Sequence, residues 1–112
     1  SAMKEETLLT DFVGYGDVNN DGKNDAAAIL VQSGGASGVF IYLAGYVSGP
    51  VTYKGTNAIF LGDRITPKSI SINSGIITVN YLDRKESEPF TAEPTVPVAR
   101  NFQYQGGTLI EK

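Results

Sequence analysis

The stretch Ser69-Ile70-Ser71-Ile72-Asn73-Ser74-Gly75-Ile76-Ile77-Thr78-Val79 constrains the fold more than any other. With a two-residue turn at Ser74-Gly75, Ile72 faces Ile77 and Ile70 faces Val79, while Ser71 faces Thr78 on the other side. Apolar meets apolar and polar meets polar. A hairpin with one buried face requires this sorting, because a slip of one residue would turn every side chain to the wrong face. Continued past Ser69, the same register sets Thr66 opposite Asp83 and Ile65 opposite Arg84.

Other segments have the same strand character. Ala26-Ala27-Ala28-Ile29-Leu30-Val31 is a continuous apolar run of strand length, suited to a strand buried on both faces. Gln32 to Gly38 is rich in glycine and breaks it, and Val39-Phe40-Ile41-Tyr42-Leu43-Ala44 follows, again apolar on both faces. The two runs predict a central hairpin. Gly45 to Pro50 is a turn cluster, and strand signal resumes in Thr56 to Leu61. Glu86 to Pro97, with Pro89, Pro94 and Pro97, predicts a long surface loop. Val98 to Tyr104, a Gly106-Gly107 turn and Thr108 to Ile110 predict a last hairpin. Lys4 to Phe12 is open between one short N-terminal helix, from Leu8 and Phe12 four apart, and a strand. No motif recurs at a fixed period, so a propeller or solenoid is not indicated. The expectation is a mainly β fold: one antiparallel domain over residues 4–112, of seven or eight strands, folded as a sandwich or partly closed barrel. Ser1-Ala2-Met3 reads as the scar of a cleaved expression tag, which leaves room for an export signal in the natural protein.

Between the first segment and the apolar run lies Gly16-Asp17-Val18-Asn19-Asn20-Asp21-Gly22-Lys23-Asn24-Asp25. Counted from Asp17, oxygen donors fall at positions 1 (Asp17), 3 (Asn19), 5 (Asp21) and 9 (Asp25); position 7 is Lys23, which offers its backbone carbonyl. Gly22 at position 6 permits the sharp turn that gathers these groups around one point. Ca²⁺ is a hard cation that takes oxygen ligands, and the loop offers neither nitrogen nor sulfur side chains to a softer metal. An EF-hand would need a bidentate Glu at position 12, where this chain has Ala28 inside a strand-like run. The loop therefore resembles the shortened D-x-[DN]-x-D-G-x-x-D calcium loop of FG-GAP (integrin-type) blades and related secreted repeats. With that last ligand missing, water completes the shell and affinity falls toward the weak class of roughly 10⁻⁴–10⁻³ M. The competing reading is an Asx-rich hairpin loop whose side chains cap their own backbone.

The loop leading into Asp25-Ala26-Ala27, then Ser37 to Tyr42, Leu61-Gly62-Asp63-Arg64-Ile65 and Val79 to Arg84, extend the likeness over about residues 14 to 100. Together they resemble a group of small bacterial domains, exported or lipoprotein-like, with a GDLNGDGxxDAA start and a later LGDRI segment. The resemblance implies an extracytoplasmic setting: periplasmic, cell-surface or secreted. It implies no activity, and a shared fold would not supply one.

The rest of the composition narrows the function classes. Nine basic residues against twelve acidic ones give a net charge of −3, and no basic run interleaved with aromatics offers a nucleic-acid surface. No apolar run approaches the ~20 residues needed to cross a bilayer as a helix. There is no histidine to act as general base and no cysteine for a thiolate site or disulfide. The serines lack a partner base and any Ser-x-x-Lys, so the chain reads as probable non-enzyme only by elimination of nucleophile motifs. Gln32 to Gly38 carries no Lys-Ser/Thr after its glycines and reads as a hairpin loop, not a phosphate loop. Asp63-Arg64 and Asp83-Arg84, with Glu86 and Glu88, converge in the register above. They form either a salt-bridge cluster or a carboxylate pair for hydrolysis, the latter needing two carboxyls roughly 5–10 Å apart in an open cleft. Tyr42, Tyr46, Tyr53 and Phe60 are either core residues or an aromatic platform for a glycan or peptide. The functional expectation is a Ca²⁺-binding, non-enzymatic interaction or structural domain, with a protein or glycan partner; the alternative is a glycan- or peptide-binding module built on those tyrosines.

Overall fold

The computed structural model describes residues 6–33, 39–49, 53–85, 87–89 and 92–112. It contains two antiparallel four-stranded sheets, each a run of consecutive strands. The first holds β1 (Glu6–Gly16), β2 (Asp25–Ser33), β3 (Val39–Ser48) and β4 (Tyr53–Asp63) in that spatial order. The second holds β5 (Thr66–Asn73), β6 (Ile76–Asp83), β7 (Val96–Gln105) and β8 (Thr108–Glu111). No helix occurs among the described residues, and the segment open between helix and strand is strand β1 from Glu6 onward. A sandwich, not a closed barrel, is the outcome. No helix among the described residues is long and apolar enough to cross a membrane.

The β5–β6 hairpin has the expected pairs Ile72↔Ile77, Ser71↔Thr78 and Ile70↔Val79. Ser74 and Gly75 both have positive φ, 50° and 79°, as the tight turn matching strand twist demands. Beyond Ser69 the expected register fails: Thr66 pairs with Leu82, not Asp83, because a bulge falls between Pro67 and Ser69. Pro67 has no N–H to give the ladder, so an irregularity beside it relieves a missing bond.

β6 alternates cleanly, with Ile77, Val79 and Tyr81 buried and their neighbours half-buried. They meet Ile29, Leu43 and Leu61 from the other sheet, with Phe102 of β7 fully buried among them. Each such side chain taken out of water contributes about 1.5–3 kcal/mol. The sheets approach most closely where β1 crosses β5: a Cβ placed on Gly16 would lie 2.7 Å from Cγ2 and 2.8 Å from Cβ of Ile72. At the opposite edge Asn57 of β4 accepts from the Leu109 amide at 2.8 Å and donates to the Leu109 carbonyl at 3.3 Å. This one amide takes the place of a ninth strand on the free edge of β8, where unpaired main-chain groups would otherwise stand open.

The apolar runs of β2 and β3 are covered on one face only, which corrects the expectation of burial on both. Away from the core, the register lines up Leu9, Leu30, Tyr42 and Phe60 across β1–β4. Two residues along lies the row Val13, Ala28, Ala44 and Ala58, and beyond it Tyr15, Ala26, Tyr46 and Gly55. Tyr42, Tyr46 and Phe60 are therefore surface residues of this sheet rather than core, and the side chain of Tyr53 lies outside the described residues. The outer face of β5–β8 is ordinary by contrast. Thr78 donates to Asn101 at 2.8 Å and Asn80 to Ser69 at 3.1 Å, a polar ladder facing water.

Candidate metal centre

The loop from Asp17 to Asn24 joins β1 to β2, whose last pair before it is Gly16↔Asp25. Gly22 has φ +82° and nothing within 4 Å of a Cβ built there, so backbone conformation rather than space requires glycine. Asn20 joins it in the left-handed region at φ 61°, which asparagine tolerates better than most residues. These two turns fold the donors inward. Oxygens of Asp17, Asp21 and Asp25 lie within 4.8 Å of one another, a group able to hold a metal ion.

Asp17 is the hub of the loop's own hydrogen bonds. Its Oδ2 accepts from Gly22 N–H at 2.8 Å, and its Oδ1 accepts from Asn19 and Asp21 N–H, each at 3.2 Å. Gly22 N–H above all, joined by the amides of Asp21, Asn20 and Asn19, holds this carboxyl below the usual carboxylate range against a small opposing effect of desolvation. Asp21 is exposed and accepts from Lys23 N–H at 2.9 Å; Lys23 thus enters the loop through its amide.

Asn19 is the most informative residue. In one orientation its amide oxygen faces only the carboxylate oxygens of Asp17 and Asp21. Turned over, its nitrogen would donate to Asp21 Oδ1 at 2.9 Å and Oδ2 at 3.2 Å, and to Asp17 Oδ1 at 3.1 Å. The first orientation packs acceptor against acceptor and is favourable only around a cation; the second closes the loop without one.

Asp25 differs from its loop partners. It is 1% exposed, and its two oxygens take three donors: Val18 N–H on Oδ2 at 2.9 Å, and Ser48 N–H and Oγ–H on Oδ1 at 2.8 and 3.0 Å. A carboxylate oxygen has two lone-pair sites, so Oδ2 retains one that can face an ion. Asp25 is thereby both clamp and candidate ligand. Ser48 was not readable in the sequence: it sits on β3, 23 residues away, and only the β2–β3 pairing brings it alongside. The loop also borders a depression of about 520 Å³ lined from the second sheet by Ile72, Ser74, Gly75, Ile76 and Gln103. That neighbour too was hidden from the sequence, because it depends on how the sheets stack.

The Asp-Arg constellation resolves differently from either expectation. Asp63 accepts from Val39 N–H at 3.0 Å and Asp83 from Arg84 N–H at 2.7 Å. Arg84 donates to three main-chain carbonyls, of Ala92 at 2.6 Å, Arg64 at 2.9 Å and Asp63 at 3.4 Å. It ties the end of β6 to the corner where the chain changes sheets, and none of these residues lines the depression beside the loop. Glu86 lies outside the described residues. So does the glycine-rich loop at 34–38.

Set against family models, characterised proteins and solved structures, the chain matches none.

Proposed function

We propose that this chain is a Ca²⁺-binding, non-catalytic interaction or structural module of an exported bacterial protein. The observation that carries the reading is the convergence of Asp17, Asp21 and Asp25 within 4.8 Å around an Asn19 amide that meets only acceptors unless it is inverted. All of these donors are oxygens, which favours a hard cation over zinc or copper, and the Lys23 carbonyl with water would complete the shell. Weak affinity suits a compartment with abundant Ca²⁺, in keeping with the extracytoplasmic setting that the resemblance to exported and FG-GAP-like loops implies. The lack of histidine, cysteine and any activated nucleophile supports a role without chemistry.

Thermal melts in EDTA and in millimolar Ca²⁺, on wild type and Asp21→Ala, test it. At a hundredfold excess over Kd, binding adds about 2.7 kcal/mol. For a domain of this size that is on the order of 10 °C in Tm. A shift in the wild type that Asp21→Ala abolishes supports the site; identical melts in both media reduce the loop to a self-capped turn. Mg²⁺ in parallel separates a Ca²⁺ site from general screening.

A further inference from the structure

We infer that the outer face of β1–β4 is the contact surface of a homodimer, in which two copies pack this sheet face to face about a two-fold axis. The apolar runs of β2 and β3 carry the composition of strands covered twice, yet the single chain covers them once. What stays open is contiguous. Leu9, Tyr15 and Phe60 are 64, 67 and 49% exposed, and Leu30, Tyr42 and Tyr46 stand between them around a floor of Ala28 and Ala44.

Charge selects the occupant. The three residue rows across this face contain no Asp, Glu, Lys or Arg, although the chain carries 21 such residues, nine basic plus twelve acidic. A two-fold contact brings a patch against itself, so any charge near the axis would meet its like. A charge-free face is what self-association needs and what recognition of a charged partner does not. A glycan fits less well, since it needs donors and acceptors for its hydroxyls and this face has few. The Tyr42 hydroxyl already donates to Gln32 at 3.3 Å.

Area sets the strength. Strands at about 4.8 Å spacing and rows about 6.8 Å apart give a footprint of roughly 400 Å² per copy, more once the projecting rings are counted. Two copies bury about 1,000 Å² in total, the lower bound for a specific interface, so the dimer is reversible with a Kd in the micromolar range. Two sheets packed in this way sit about 10 Å apart, the ordinary spacing of a β-sandwich.

Sedimentation equilibrium between micromolar and millimolar protein tests the inference on wild type, Leu9→Glu, Tyr15→Glu and, as control on the other sheet, Ile110→Glu. The expected mass rises from 11.9 kDa to twice that value in the wild type and the control. Each face variant weakens association by about 100-fold or more, since like charges meet across the axis. Leu9 and Tyr15 lie on an edge strand and are mostly exposed, and circular dichroism confirms folding of each variant. Concentration-dependent ring shifts of Tyr42 and Tyr46 in the wild type provide a readout without mutation. A wild type monomeric up to about 1 mM overturns the inference and assigns the face to a different protein or domain. A dimer that the face variants leave intact overturns it equally.

Discussion

Ser48 of β3 grips Asp25 of β2 with two donors on one carboxylate oxygen, its amide at 2.8 Å and its hydroxyl at 3.0 Å. Val18 N–H takes the other oxygen, so a single buried side chain binds the start of β2, the end of β3 and the loop between β1 and β2. Replacing it by alanine leaves three donors without partners. Asp25→Ala, measured in EDTA by urea unfolding, is expected to lose about 3–5 kcal/mol. Ser48→Ala removes one donor and leaves the others paired, at about 1 kcal/mol. Equal losses in the two variants would deny Asp25 its role as clamp.

Asn19→Asp separates the two states of the loop by sign. A fourth carboxylate beside Asp17 and Asp21 adds repulsion when no cation is present, and adds a stronger ligand when one is. The expected result is a lower Tm in EDTA together with a larger rise on adding Ca²⁺ than in the wild type. A Tm unchanged in both media would mean that the Asn19 side chain does not face the carboxylates.

Two glycines in strands of one sheet should respond oppositely to alanine. Gly16→Ala drives a methyl against the branched carbons of Ile72, at 2.7 and 2.8 Å, and is expected to cost about 1–3 kcal/mol. Gly55→Ala meets only Tyr46 Cε1 at 3.9 Å, an ordinary contact, and is expected to be neutral or to stabilise by up to about 1 kcal/mol. Denaturation midpoints decide, and a tolerated Gly16→Ala would place the sheets farther apart than described.

Arg100 and Glu111 form a bidentate pair on the second sheet, with bonds of 2.7 and 2.9 Å. The guanidinium holds the Glu111 carboxyl below its ordinary range. A carboxyl whose folded value is lowered stabilises the fold above its unfolded value of about 4.3. That contribution disappears as pH falls through the lower folded value. Glu111 is 46% exposed, so solvent screening keeps the pair below about 1 kcal/mol. Glu111→Gln is therefore expected to match wild type in acid and to fall slightly short of it at neutral pH. A constant difference at all pH values would point to packing rather than charge.

Particular residues mark where sequence reading succeeds and where it stops. The Ile70–Val79 register was legible because alternation has a period of two and the turn chemistry agreed with it. The bulge beside Pro67 was not drawn from it, though a proline inside a strand is itself a signal of a broken ladder. Asp17, Asn19 and Asp21 were legible because the loop's donors are close in sequence. Ser48 and the Ile72–Ile76 wall were not, since both depend on pairings distant along the chain. Tyr42 and Tyr46 carry the most general lesson: an apolar run tells what a strand is fit to touch, not whether the same chain supplies the contact.

The chain passes from one sheet to the other at Arg64 and Ile65, and every ladder on either side of that corner is closed within its own half. What ties the halves together is packing and a few side chains reaching across, among them Asn57 to Leu109, Arg84 to the Arg64 carbonyl and Arg100 to the Phe60 carbonyl. A peptide nicked at this corner would sever no strand pairing, so its two fragments have the makings of a split protein that reassembles on mixing. During synthesis the order is fixed: the first four strands leave the ribosome with both faces bare, and only the second four can cover one of them.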